Sequence, residues 1–188
     1  MIDRRTFLTG MAAVTATGLS FADAQAADAH PLVAYFSCTG NTRAVAEQIA
    51  ALTGGDLFEI KPAQAYSPAD LDYRDRTSRC YVEMHDPAAR PAIAGSLPNL
   101  ADYKLIYLGY PNWWNTFPRI ISTFLEAGDF SGKTIRPFCT SGGSGVENSV
   151  ADLMKAVPAA IVKEGLMVPG HSAGSSSERI ARWVKRND

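Results

Sequence analysis

The stretch LVAYFSCTGNTRAVAEQIAALTGG, residues 32–55, places a strand, a polar loop and a helix in immediate succession. Leu32 to Phe36 is an unbroken apolar run, the pattern of a strand buried on both faces. From Thr42 to Thr53 the apolar positions fall at helical spacing, with Val45, Ala46, Ile49, Ala50 and Leu52 forming one side, and Gly54-Gly55 stops the helix. The junction is Ser37-Cys38-Thr39-Gly40-Asn41-Thr42. A helix start presents unpaired backbone N–H groups and the positive end of its dipole, and the hydroxyls of Ser37, Thr39 and Thr42 with the Asn41 amide add further donors. Such an assembly suits a terminal phosphate; the alternative is a polar loop that only caps the helix. It has neither the lysine of a Walker loop nor the three glycines of a dinucleotide fingerprint.

Outward from this unit the alternation repeats. Further apolar runs bounded by turn residues lie at Asp56 to Ile60, Leu105 to Gly109, Thr134 to Cys139 and Ile161 to Val168. Helical patterns occupy Pro118 to Ala127, Val146 to Val157 and Ser177 to Lys185. Strands alternating with helices predict an α/β fold, a doubly wound parallel sheet of five strands with right-handed crossovers and helices on both faces, three layers in all. One connection is too long for this rhythm, Lys61 to Tyr103. In it Ser67-Pro68-Ala69-Asp70 offers a capping serine, proline at the first helical position and a carboxylate three residues on, predicting a helix that runs toward His85. Pro87, Pro91 and Pro98 make the remainder extended. The insertion, with Arg74, Arg76, Arg79 and Arg90, either covers the edge of a ligand, forms a partner surface or is a solvated helix.

Two more loops follow strands. Gly109-Tyr110-Pro111-Asn112-Trp113-Trp114-Asn115 puts adjacent tryptophans where a strand end becomes exposed, which suits a flat aromatic ligand, although one of the pair can instead pack under the next helix. Thr140-Ser141-Gly142-Gly143-Ser144-Gly145 has glycines that let backbone approach a ligand, or that merely turn the chain.

The junction hexapeptide closely resembles the phosphate-binding loop of flavodoxins, Thr/Ser-x-Thr-Gly-x-Thr after the first strand, and the other two loops fall where that family places its flavin contacts. The resemblance extends over residues 31 to 186. It implies the strand order 2-1-3-4-5, with the three loops converging at the topological switch point. It implies FMN as cofactor, held by Ser37, Cys38, Thr39, Gly40, Asn41 and Thr42, by Pro111, Asn112, Trp113, Trp114 and Asn115, and by Thr140, Ser141, Gly142 and Gly143. The Tyr-Pro-x-Trp-Trp run is similar to a subgroup of flavodoxin-like proteins rather than to the short-chain carriers. The implied function is electron transfer through a non-covalent flavin, to a redox partner protein or, in an enzymatic form, to a small acceptor such as a quinone; a third form binds FMN without turnover. No side chain is required as acid or base. Two departures bear on this. Flavodoxins are usually strongly acidic, whereas the formal net charge here is −1, and the glycine that lets a peptide flip beside the flavin N5 in many of them is missing between Tyr110 and Asn115.

Near-neutral charge with scattered basic residues suggests neither nucleic acid nor an anionic membrane as partner. Arg4-Arg5-Thr6-Phe7-Leu8 ahead of the weakly apolar run Gly10 to Ala22, with Ala24-Gln25-Ala26 as a small-x-small site, resembles a twin-arginine signal peptide over residues 1–26. It predicts export to the periplasm in the folded state and a domain over residues 27–188 with no membrane span. Three cysteines, Cys38, Cys80 and Cys139, are odd in number, and Cys38 and Cys139 end strands that are not neighbours, so buried thiols are expected rather than a disulfide. Gly170-His171-Ser172-Ala173-Gly174 matches the nucleophile elbow of hydrolases, but His30, His85 and His171 all precede Ser172, against the chain order that fold requires. Lone histidines give no metal site.

Overall fold

The computed structural model describes residues 30–186. The signal peptide expected over residues 1–26 lies outside them. Six parallel strands and five helices follow one another as β1 (Leu32–Tyr35), α1 (Asn41–Thr53), β2 (Asp56–Glu59), α2 (Arg79–His85), β3 (Leu105–Pro111), α3 (Arg119–Glu126), β4 (Thr134–Ser141), α4 (Glu147–Ala156), β5 (Ile161–Val162), β6 (Leu166–Pro169) and α5 (Ser177–Val184). The sheet runs β2-β1-β3-β4-β5, and β6 pairs with β4 beyond β5. This is the expected order 2-1-3-4-5 with its fifth position divided in two.

Alternation along the strands builds two cores. Leu32, Ala34 and Phe36 face one way with Ile106, Leu108 and Tyr110, and α3 covers them with Ile120, Ile121 and Phe124. Val33 and Tyr35 face the other way with Tyr107 and Phe138, beneath Val45 and Ile49 of α1 and Ile180 and Trp183 of α5. Both faces are therefore apolar, as a parallel sheet between helical layers requires. One charge is buried here. Arg136, in the middle of β4 and 8% exposed, donates to the carbonyls of Trp183 (2.6 Å) and Val184 (3.2 Å) and lies 4.5 Å from the centre of the Trp183 ring. It caps the end of α5, where the helix dipole favours a cation.

Two expectations need correction. The single fifth strand, Ile161 to Val168, breaks at Lys163-Glu164-Gly165, where the chain passes so close to the start of α4 that only glycine fits: a Cβ on Gly165 would stand 2.7 Å from Val146 Cγ2 and 3.0 Å from Val150 Cγ2. The helix expected from Ser67 toward His85 is also not continuous. Its capping box forms, with Ser67 N–H donating to Asp70 (2.8 Å) and Asp70 N–H to Ser67 Oγ (3.2 Å), yet only a single turn follows, Ala69–Leu71. Asp72 and Asp75 then accept from the backbone N–H groups of Arg74 (3.0 Å) and Thr77 (2.8 Å), local bonds that compete with helix. Ser78 starts α2 anew, its Oγ accepting from Tyr81 N–H.

The insertion is closed at its base by an antiparallel bridge between Pro62 and Ile93. It is fastened to α3 by Arg119, whose guanidinium donates to the carbonyls of Glu83 and Met84 at the end of α2, and by the two-pronged Arg90–Glu126 pair at 2.8 and 2.6 Å. Cys80 and Met84 of α2 are buried, so α2 is a packed element rather than a solvated helix.

Candidate functional site

The first loop is shaped by Gly40, whose φ of 86° is left-handed, and by Ser37 Oγ, which accepts from Gly40 N–H at 3.1 Å. The first intrahelical bond of α1 runs from Ala44 N–H to Gly40 O, so the N–H groups of Asn41, Thr42 and Arg43 lie ahead of it. The helix has no side-chain cap and no acidic residue in its first turn. Thr39, Gly40 and Asn41 are exposed, while Ser37 and Cys38 are half-buried. Thr42 differs: it is buried, and its hydroxyl bonds that of Thr140 at 2.8 Å, tying the first loop to the third.

In the second loop Trp113 and Thr116 exchange backbone hydrogen bonds around Trp114 (φ 46°) and Asn115 (φ 67°). Two positive φ values across a two-residue turn define type I′. Asparagine tolerates that conformation; tryptophan rarely adopts it. The two tryptophans have different surroundings. Trp113 packs edge-on against Phe36 (5.8 Å) and Tyr66 (5.6 Å), as part of the core around α3. Trp114 is 40% exposed and stands edge-on to two rings of α2, Tyr81 at 5.8 Å and His85 at 5.6 Å, which stack on each other at 3.8 Å. Asn112 is a pin: its N–H donates to Thr140 O and its Nδ2 to Gly145 O, both at 2.8 Å, which fixes the third loop beside the second. Pro111 ends β3, paired with Thr140.

The third loop leaves β4 with Thr140 and Ser141 still buried. Ser141 Oγ accepts from Gly143 N–H at 3.1 Å, and Gly142 and Gly143 are exposed, with open space where a Cβ would stand. All fifteen residues proposed from the sequence thus lie at the carboxyl edge of β1, β3 and β4; Thr42, Asn112, Trp113, Thr140 and Ser141 serve packing and loop geometry, while Thr39, Gly40, Asn41, Trp114, Asn115, Gly142 and Gly143 are on the surface.

Sequence reasoning missed the residues that the insertion brings here. Tyr66 donates its hydroxyl to Glu83 at 2.5 Å, Glu83 accepts from Arg79 at 2.6 Å, and the Arg79 guanidinium lies 3.9 Å from the centre of the Tyr66 ring. This network braces Trp113. Burial, reinforced by Glu83, raises the Tyr66 phenol well above its ordinary value, and burial pushes the Cys38 thiol up to about 12 despite nearby Arg79. No periodic signal marks Tyr66, since it lies outside any helix or strand. Also missed is the turn after β6: Gly170 lies beside Asn41, whose Nδ2 would be 3.3 Å from a Cβ there, so this segment flanks the first loop. The elbow-like Ser172 donates its hydroxyl to Pro169 O, within its own turn. All three cysteines are free thiols. Among the described residues no cluster of three or more His, Cys, Asp or Glu is arranged for a metal, and no helix is long and apolar enough to cross a membrane.

The family model described as flavodoxin matches residues 30–187. No curated protein matches the chain. Among solved structures, a protein of Bacteroides uniformis ATCC 8492 provisionally named a flavoprotein is 44% identical, with a TM-score of 0.78 over 84% of this chain and 98% of that one. A similarly named protein of Bacteroides eggerthii DSM 20697 is 45% identical, with a TM-score of 0.72 over 81% and 98%. A flavoprotein of Lactobacillus acidophilus NCFM, solved in complex with FMN, shares the fold at 22% identity and a TM-score of 0.60, over 76% and 95%.

Proposed function

Since this chain belongs to the flavodoxin family, we propose that it binds FMN without a covalent link and transfers electrons through it. The observation that carries this reading is the start of α1: a 13-residue helix with no side-chain cap and no acidic first turn, behind a loop of hydroxyls, with an exposed tryptophan in the second loop at the same edge of the sheet. That donor set fits a phosphate dianion at one end and a flat aromatic ring at the other. The N–H groups ahead of α1, with Thr39 and Asn41, hold the phosphate; Trp114, Asn115, Gly142 and Gly143 border the ring. Thr42, Thr140 and Asn112 keep the three loops in register, so that the surfaces are set before the ligand arrives. The flavin, when bound, supplies the redox chemistry, and the protein supplies binding and orientation. Titrating purified protein with FMN tests this by flavin fluorescence and colour: saturable uptake, weakened in Trp114→Ala, is the expected result, and a colourless protein that takes up no FMN would overturn the reading.

A second, enzymatic reading is favoured by the exposed rings of Trp114 and His85 with half-buried Tyr81 beside the second loop, which offer a flat acceptor of the quinone kind an aromatic wall. Steady-state reduction of a quinone by a nicotinamide donor tests it, and no turnover with any small acceptor leaves the carrier form. Export by the twin-arginine route belongs to the same proposal. Its support is Arg4-Arg5-Thr6-Phe7-Leu8, and replacing Arg4 and Arg5 by lysine is expected to leave the protein inside the cell.

A further inference from the structure

The division of the fifth strand opens a groove of about 470 Å3 along the outer edge of the sheet. Its floor is Leu166, Met167 and Trp183; α4 begins on one side at Val146, and α5 forms the other. β6 pairs with β4 on its inner side and, among the described residues, has no strand on its outer side. An open strand edge is a template for a further extended chain. The wall of α5 carries Arg179 and Arg182, three residues apart and so on one face of the helix, and Arg186 follows two residues past its end at Val184.

Two of these arginines hold charge that the described residues do not neutralise. Among the described residues, Arg179 and Arg182 have no carboxylate within ion-pairing distance, and Arg186 meets Glu164 only at 3.5 Å. Glu164 therefore offsets Arg186, and Glu147 lies against Gly145 at the end of the groove. Arg179 and Arg182 remain as excess positive charge on an exposed surface of a protein whose formal net charge is −1. Along α5, Arg179 and Arg182 stand about 5 Å apart, from the helical rise of about 1.5 Å per residue. An extended chain returns side chains to one side at every second position, about 7 Å on. Acidic residues at alternate positions would therefore meet the guanidinium groups on the α5 side, while apolar residues between them turn to the α4 side, toward Met167 and Val146.

We propose that the groove between β6 and α5 is a docking site for an extended acidic segment of a partner protein, with Arg179 and Arg182 as its recognition residues. The site is independent of the flavin reading, although its end at Gly145 adjoins the third loop and would bring a docked partner beside it.

The test is a nuclear magnetic resonance titration of the protein with a capped peptide of alternating glutamate and valine, in parallel with its lysine–valine counterpart. The expected result is a saturable shift of the amides of Leu166 to Val168 and Arg179 to Arg186 with the acidic peptide alone. Affinity is expected to fall as ionic strength rises and to weaken about tenfold or more in Arg179→Glu/Arg182→Glu, as for charges that steer and hold a partner. Should charge reversal near the end of α5 unfold the helix, Arg179→Gln/Arg182→Gln gives the same comparison. Equal response to the lysine peptide, shifts located elsewhere, affinity unchanged in both variants, or full reproduction of the shifts by inorganic phosphate would each overturn the proposal. FMN uptake measured on the same samples keeps this result separate from the flavin reading.

Discussion

Trp113 and Thr116 hold each other by two backbone hydrogen bonds, 2.9 and 3.0 Å, closing a turn whose central residues are both left-handed. A left-handed backbone costs an ordinary residue about 1–2 kcal/mol. The edge contacts of Trp114 with Tyr81 and His85 contribute about 0.5–1.5 kcal/mol each beyond area burial. Replacing Trp114 by glycine loses the contacts but relieves the strain, and the net loss of stability is expected to be about 2 kcal/mol or less. Trp114→Ala loses the same contacts without full relief and falls below the glycine variant by about 1 kcal/mol. Urea denaturation of the FMN-free protein separates the two; an alanine variant as stable as the glycine variant would show that the turn is not strained.

Asn112→Ala removes the Nδ2 donor that holds Gly145 O at 2.8 Å. The stability cost is about 1 kcal/mol, the usual worth of one such bond. The larger expected effect is on FMN affinity, because the third loop is then no longer held beside the second. Thermal melts and FMN titration on one sample measure both; loss of affinity no larger than loss of stability would remove Asn112 from the positioning role.

Much of this arrangement was readable before the structure. The residues from Leu32 to Gly55 specify strand, loop and helix through a change of period from a continuous apolar run to helical spacing, and the sheet order follows from their repetition. What was not readable has two sources. The fifth strand breaks beside Gly165, where Val146 and Val150 leave no room for a Cβ, a contact distant in sequence, whereas Asp72 and Asp75 stop, by local bonds to Arg74 and Thr77, a helix that Ser67 and Asp70 correctly start. The different surroundings of Trp113 and Trp114 were likewise hidden, since they are set by Tyr66, Tyr81 and His85 of the insertion. Adjacent residues in a turn point to different surroundings, and only the fold says which.

Arg136→Met is expected to lower stability by about 2–3 kcal/mol, as the carbonyls of Trp183 and Val184 lose charged donors in a buried place. Arg136→Lys recovers only part of this, because an ammonium lacks the planar fork that meets two carbonyls while lying against Trp183. The denaturation midpoint should move with the slope unchanged.

Alkaline pH should destabilise the protein in two stages. Burial pushes the Cys139 thiol up to about 12, and burial raises the phenols of Tyr66 and Tyr110. In the unfolded chain these groups lose their protons near about pH 8.5 for the thiol and 10 for the phenols. Above those values the unfolded state binds fewer protons than the native state, so stability falls as pH rises. The contribution of Cys139 is complete below about pH 8.5 and is lost progressively up to about 12. Urea midpoints measured from neutral pH upward are expected to decline from about pH 9, and Tyr66→Phe should shallow the decline above about 10.

Cys38 lies in the first loop and is partly exposed, yet its thiol is pushed up to about 12 by burial. At pH 8 the thiolate is then about one part in ten thousand, and the thiolate is the reactive species. Alkylation of native protein should be far slower at Cys38 than in the denatured chain; equal rates would show the thiol to be freely ionised.

The bond between Arg136 and the end of α5 joins the middle of the sheet to the last helix of the described residues. Without Trp183 and Val184 the guanidinium has neither of these acceptors, and a variant lacking α5 would carry a stranded charge in its core. The sheet and that helix therefore stand or fall together: α5 is no detachable edge but a part of the same cooperative unit.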